Sequence, residues 1–266
     1  MREELKGPVG AVPPAAPHLI PESAPRPLDR PLRSIIVREG VAGGIDGSMI
    51  GFEYYNCFNY SLLTGADNSL NLTLGITSAS RGEGKTVVAC NLAVSLALAC
   101  GKETVLVDLN LEHPRLHDAF GIPSAPGLSE ALHHGPIHLS RTSIEHLSVL
   151  TAGGLNGHSR SPEASRRRAR GGGARASGGH LIGLENISEF REIILALEER
   201  HNFVIVDMPS IDSNGFPILY SNELNGLLVV VDSRRTRRPD IEKLFRLVHK
   251  RQVLGFVFNR FEHDEF

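Results

Sequence analysis

Thr77-Ser78-Ala79-Ser80-Arg81-Gly82-Glu83-Gly84-Lys85-Thr86 stands between the apolar run Leu72-Thr73-Leu74-Gly75-Ile76 and the helix-like stretch Val87-Val88-Ala89-Cys90-Asn91-Leu92-Ala93-Val94-Ser95-Leu96-Ala97. From Ala79 the spacing is small-x-x-x-x-Gly-Lys-Thr, the Walker A pattern with alanine in the first glycine position. Glycines let such a loop turn its backbone N–H groups inward on a phosphate, and the helix that follows adds the positive end of its dipole. Ser80, Arg81, Gly82, Glu83, Gly84, Lys85 and Thr86 are therefore the expected nucleotide-binding segment. Lys85 would reach the β- and γ-phosphates, and Thr86 would put its hydroxyl on Mg²⁺. A strand before the loop and a helix after it separate this reading from a chance surface turn.

Further along the chain, Thr104-Val105-Leu106-Val107-Asp108 and His201-Asn202-Phe203-Val204-Ile205-Val206-Asp207 are apolar runs that end in aspartate. Continuous runs of this kind suit strands buried on both faces, and parallel α/β sheets gather ligand-binding groups at strand carboxyl ends. Asp207 fits a Walker B carboxylate that holds Mg²⁺ directly or through water. His146–Leu150, Leu227–Val231 and Val253–Phe258 are further expected strands, and Ser34–Val37 a short one. Helices are expected over 48–63 (Phe52, Tyr55, Phe58 and Leu62 inward), from Gly127 to Leu132, from Asn186 as cap to Arg200 (Ile187, Phe190, Ile194 and Leu197 inward), and from Asp240 to Lys250. Gly101 is expected to cap the helix after the loop. The fold class is α/β: a parallel sheet between two helical layers, a P-loop NTPase.

The chain has 266 residues and a formal charge of −2, so no global field recruits nucleic acid or membrane. Cys57, Cys90 and Cys100 have no metal-ligand rhythm, which suggests buried thiols in a reducing cytosol. No apolar run reaches membrane-spanning length, and Met1–Lys6 lacks a signal-peptide core. Residues 1–33 hold eight of the sixteen prolines and are expected to form a disordered tail before a P-loop domain over 34–266. Residues 156–180 carry six arginines and six glycines against one acidic residue. That segment is expected to be a flexible, solvated insertion rather than a nucleic-acid site.

These motifs resemble the bacterial tyrosine kinases (BY-kinases) of capsule and exopolysaccharide assembly, cytoplasmic relatives of the MinD/ParA ATPases. The resemblance covers about Gly51 to Asn259. It rests on Ile76 through Thr86, Asn91-Leu92-Ala93, His113-Pro114-Arg115-Leu116-His117, Phe120-Gly121, Pro126-Gly127-Leu128-Ser129, Asp207-Met208-Pro209 and Leu254-Gly255-Phe256-Val257-Phe258-Asn259. Partitioning and cell-division ATPases carry a signature lysine two residues before Gly82, where this chain has Ser80, so the polysaccharide branch is favoured. The resemblance implies ATP and Mg²⁺ as cofactors, with Lys85, Asp108 and Asp207 as the catalytic set. Asp108 would be the Walker A′ aspartate that orients or deprotonates the attacking hydroxyl. Thr86, Asp108, Asn110 and Asp207 would surround the metal, and Asn259 would sit near the adenine. A membrane chain-length protein on a separate chain is the implied partner, with the protein cytoplasmic or held at the inner membrane face through it.

Several positions depart from the family pattern. Asn110 replaces a second aspartate and loses a negative charge near the metal. Glu112 stands where arginine is usual. The self-assembly motif reads Glu53-x-x-Asn56-x-x-Asn59, and asparagine does not reproduce a guanidinium fork, which argues against ring assembly. The last tyrosine is Tyr220, so the usual C-terminal acceptor cluster is not expected. Three readings follow: an ATPase or tyrosine kinase of polysaccharide chain-length control and export, a non-catalytic nucleotide sensor, or a MinD/ParA-like positioning ATPase. The first is preferred.

Overall fold

Four apolar runs form the centre of the molecule and are buried along their whole length: β2 (Leu72–Ser78), β3 (Thr104–Asp108), β6 (Phe203–Asp207) and β7 (Gly226–Asp232). A computed structural model describes residues 35–38, 71–154, 186–212 and 218–261. With β1 (Ile35–Arg38), β4 (Ser140–Arg141), β5 (Leu147–Leu150) and β8 (Val253–Phe261), these strands make one sheet ordered β1-β8-β7-β2-β6-β3-β5-β4. Every neighbouring pair is parallel except β4–β5. Parallel pairing puts the carboxyl ends of the other seven strands on one edge, the edge where α/β sheets bind ligands.

Alternation along the strands sorts side chains onto two faces. Leu74, Ile76, Leu106, Ile205, Leu228 and Val230 pack against α1 (Lys85–Cys100) and α2 (Leu116–Phe120). Val105, Val107, Val204, Val206, Leu227 and Val229 pack against α3 (Leu128–Leu132), α4 (Ile187–Glu198), α5 (Ile218–Ser221) and α6 (Arg238–Leu247). The result is the expected sandwich of three layers. Asp108, Asp207 and Asp232 continue the alternation of Leu106, Ile205 and Val230, so all three carboxylates lie on the α1 face at the carboxyl edge.

α1 crosses from β2 to β3 over β6, and burial of Val88, Cys90 and Val94 as well as Ala89, Leu92, Ala93, Leu96 and Ala97 explains why the helix reads apolar on more than one face. Each buried leucine contributes about 1.5–3 kcal/mol of transfer energy. Gly101 ends the helix in the left-handed conformation, as expected, with its N–H donating to the Leu96 carbonyl.

Two expectations need correction. In α4 the buried stripe is Phe190, Ile193, Ile194 and Leu197, while Ile187 is only half-buried. Those four keep the i, i+3, i+4, i+7 spacing of a packed face, and Ile187 is the helix's first residue, at the rim of the layer. Asn186 occupies the cap position, but its side chain donates instead to the Leu132 carbonyl at 3.2 Å, tying α4 to α3. Of the thiols, Cys90 is buried and Cys100 half-buried. α2, β4 and α5 were not anticipated. The N-terminal tail, the 48–63 helix with its Glu53/Asn56/Asn59 motif, Cys57 and the 156–180 insertion lie outside the described residues. Among the described residues, no helix is long and apolar enough to cross a membrane.

Candidate nucleotide-binding site

The loop between β2 and α1 takes its shape from two glycines in the left-handed region, Gly82 at φ 81° and Gly84 at φ 93°. L-residues with a Cβ are strained there. A Cβ on Gly84 would also lie 2.1 Å from Asn259 Nδ2, so the glycine allows the end of β8 to approach the loop closely. Asn259 Nδ2 donates to the Glu83 carbonyl at 2.9 Å. In a trans peptide the C=O and the following N–H point in opposite directions, so this bond turns the Gly84 N–H away from β8.

Behind the loop, Lys85 opens α1 and is buried, only 7% exposed. Burial lowers its pKa, and the carboxylates of Asp207, Glu83 and Asp212 pull the other way. Thr86 donates its hydroxyl to Asp207 Oδ2 at 2.7 Å. Asp207 Oδ1 is buried and, among the described residues, has no hydrogen-bond partner. Asp108 lies in register with Asp207 on the adjacent strand. Its Oδ1 accepts the Asn110 N–H at 3.1 Å, and its Oδ2 accepts the N–H groups of Arg115 and Leu116 at 3.1 and 3.2 Å.

Both aspartates are fully buried. Burial pushes Asp207 up to about 7; the Asp108 charge adds to this, while the Thr86 hydroxyl and Lys85 oppose it. Asp108 is raised to about 6 by burial, against the three backbone donors and His117. One turn beyond Thr86, burial raises the Cys90 thiol, and Asp207 and Asp108 raise it further. An under-coordinated carboxylate oxygen beside a hydroxyl and an ammonium forms a donor set suited to a hydrated divalent cation carried by a polyphosphate. Among the described residues, no group of three or more His, Cys, Asp or Glu side chains forms a metal cage.

Lys85, Thr86, Asp108 and Asp207 thus converge at one point on the edge, with Asn110 in the loop just beyond Asp108. Asn259 adjoins the loop through its backbone contact. Arg81 is half exposed and points across to the loop after β3, donating to Glu112 Oε2 at 2.8 Å and to His113 Nε2 at 2.9 Å. Glu83, expected to contribute only as part of the loop, has a buried side chain: Oε2 accepts the Ser80 N–H at 3.0 Å and Oε1 accepts the Thr236 hydroxyl. Sequence reasoning missed that partner together with Asp232, whose carboxylate accepts from Arg260 Nη1 and from the Arg234 N–H. A signal for Asp232 existed, since Leu227–Val231 is a third apolar run ending in aspartate.

Comparison with known proteins agrees with the fold. The model of the CobQ/CobB/MinD/ParA nucleotide binding domain matches residues 74–265. The putative tyrosine-protein kinase CapB of Staphylococcus aureus is 26% identical over 209 residues, 77% of this chain and 81% of CapB. The succinoglycan biosynthesis transport protein ExoP of Rhizobium meliloti is 27% identical over 214 residues, 77% of this chain but 24% of ExoP. Among solved structures, the chimerical protein CapA2B2 superposes with a TM-score of 0.64 at 27% identity, covering 89% of this chain and 96% of that one. The septum site-determining protein MinD of Pyrococcus horikoshii, complexed with Mg-ADP, gives a TM-score of 0.53 at 18% identity, covering 74% and 73%, a likeness of fold alone.

Proposed function

The chain belongs to the CobQ/CobB/MinD/ParA nucleotide-binding family, and from that premise we propose that it binds ATP with Mg²⁺ and transfers the γ-phosphoryl group to a tyrosine hydroxyl or to water, acting in exopolysaccharide chain-length control and export. The observation that carries this reading is the Thr86–Asp207 contact, with one Asp207 oxygen unpartnered and Lys85 buried beside it. The loop amides and Lys85 would hold the β- and γ-phosphates. Thr86 and Asp207 would hold the metal, which would supply neutralisation of charge on the phosphates. Asp108, buried and raised to about 6, is suited to take the proton of the attacking hydroxyl near neutral pH. Phosphoryl transfer asks mainly for positioning and electrostatic stabilisation, so this small set suffices. The names of CapB and ExoP support the kinase and polysaccharide elements of the proposal. A membrane chain-length protein is the proposed partner, which would hold the chain at the inner membrane face.

The test is incubation of the purified chain with γ-labelled ATP and Mg²⁺. Label released as phosphate or transferred to protein, and lost in Lys85→Ala, is the expected result. No turnover in either sample removes the enzymatic reading. Asn110 favours a second reading, a nucleotide sensor without turnover, because an amide replaces a carboxylate beside the metal position. Nucleotide binding by calorimetry with no hydrolysis selects it.

A further inference from the structure

A buried carboxylate inside a loop built to receive an anion calls for an explanation. Glu83 is 3% exposed, and its two neighbours in sequence, Gly82 and Gly84, take positive φ, with Glu83 between them. Its oxygens are engaged on two sides: Oε2 by the Ser80 N–H within the loop, Oε1 by the Thr236 hydroxyl from the connector between β7 and α6. A hydroxyl has one proton to give and lone pairs to accept with. The Thr236 proton goes to Glu83, while its oxygen accepts the Asp232 N–H at 2.9 Å, and the Thr236 N–H returns to the Asp232 carbonyl at 2.9 Å. Thr236 is therefore fixed to the last residue of β7 and holds the loop from that anchor. On the other side, Asn259 holds the Glu83 carbonyl through Nδ2 while its Oδ1 accepts the Arg260 N–H at 3.0 Å.

We propose that Glu83 and Thr236 form a latch that sets the anion-binding shape of the phosphate loop, which makes Thr236 a positioning residue of the nucleotide site although it lies 153 residues away in sequence from the residue it holds. The latch draws the Glu83 carboxylate toward the β7 side and, with Asn259, fixes both ends of the Glu83 residue. The inference rests on the nucleotide-binding reading for its functional consequence. Its structural part, that Thr236 restrains the loop, stands apart from that reading.

The experiment uses the full chain as wild type, Thr236→Val, Thr236→Ser and Glu83→Gln. Each is titrated with a fluorescent ATP analogue in Mg²⁺, and each is followed by hydrogen exchange of the amides of residues 80–86 without nucleotide. Thr236→Val is nearly isosteric but leaves Glu83 Oε1 without its donor and the Asp232 N–H without its side-chain acceptor. The expected result is about tenfold weaker nucleotide binding and about tenfold faster loop exchange, the size of the lost bond to the Glu83 carboxylate; the other lost bond lies within the β7 connector, and the Glu83→Gln cycle separates the two. Thr236→Ser restores both, and adding Glu83→Gln to Thr236→Val costs less than Glu83→Gln alone. A residue that only stabilised the fold would lower the unfolding midpoint and leave the affinity of folded molecules and the serine rescue unmoved. If the wild type binds nucleotide and Thr236→Val changes neither affinity nor loop exchange, the latch is overturned. If no sample binds nucleotide but Thr236→Val still speeds loop exchange and serine reverses it, the latch stands and the nucleotide-binding reading falls.

Discussion

Asp207→Asn is expected to stabilise the nucleotide-free protein while abolishing its response to Mg²⁺–nucleotide, and the gain is expected to depend on pH. Asp207 is fully buried, with its pKa raised from an ordinary 3.8 to about 7, chiefly by burial and then by Asp108. The folded state therefore holds a proton that the unfolded chain releases. Stability from the neutral carboxyl is fully present below the unfolded value and is lost as pH rises through the folded one. At about 1.36 kcal/mol per unit the ceiling on this loss is about 4 kcal/mol, reached above pH 8. Asparagine keeps an oxygen for the Thr86 hydroxyl and carries no charge, so the variant's advantage should grow by about 2–3 kcal/mol between pH 5 and pH 8. Urea unfolding of both proteins across that range, in EDTA, measures it. An advantage that stays flat with pH, or a variant that loses ground as pH rises, would show that the buried carboxylate is not the source of the cost. Saturating Mg²⁺–nucleotide at about 100 times its Kd should stabilise the wild type by about 2.7 kcal/mol and leave Asp207→Asn unmoved.

Lys85→Ala should weaken nucleotide binding about 10- to 100-fold through loss of a charge-assisted hydrogen bond, measured by calorimetry, while circular dichroism stays unchanged. Gly84→Ala should destabilise the protein by about 2 kcal/mol or more in urea unfolding, because a Cβ at φ 93° meets Asn259 Nδ2 at 2.1 Å. Asn110→Asp, which returns a negative charge next to the metal position, should lower the Mg²⁺ concentration needed for half-maximal nucleotide binding about fivefold; an unchanged requirement would place Asn110 outside the metal's reach. Phe190→Ala, which removes a fully buried ring set edge-on to Tyr220 at 4.8 Å, should cost about 3–5 kcal/mol.

The features legible in the sequence are those the chain encodes over short spans. The Gly-Glu-Gly-Lys-Thr loop needs only its own residues and its flanking strand and helix. β2, β3, β6 and β7 announce themselves because a parallel strand covered on both faces has no polar side to interrupt the run. Where an element depends on what lies beside it, the reading loosens. The inner face of α4 is legible at Phe190, Ile194 and Leu197, but Ile193 is missed and Ile187 is only half-buried against the same cluster, since the choice between those two turns on where the helix begins over the sheet. α2 and α5 span five and four residues, too short to display a helical period.

The partners of buried polar atoms are the hardest to read, and the three strand-end aspartates show why. Asp108, Asp207 and Asp232 share one signature, an apolar run closed by a carboxylate, and all three come to the same edge and the same face. Their environments nevertheless differ. Asp108 is ringed by three N–H groups of its own following loop, Asp207 accepts the Thr86 hydroxyl at Oδ2 while its Oδ1 has no partner among the described residues, and Asp232 is engaged by Arg260 and the Arg234 N–H. The signature fixes where a carboxylate is delivered; its task is set by donors that arrive from β8, from α1 and from the connectors. At Asp232 each carboxylate oxygen accepts a donor, and the backbone N–H holds Thr236 in place. In the proposed function the same apolar-run signal supplies the metal ligand at β6 and the base at β3, and in the proposed latch it supplies the anchor for the phosphate loop at β7.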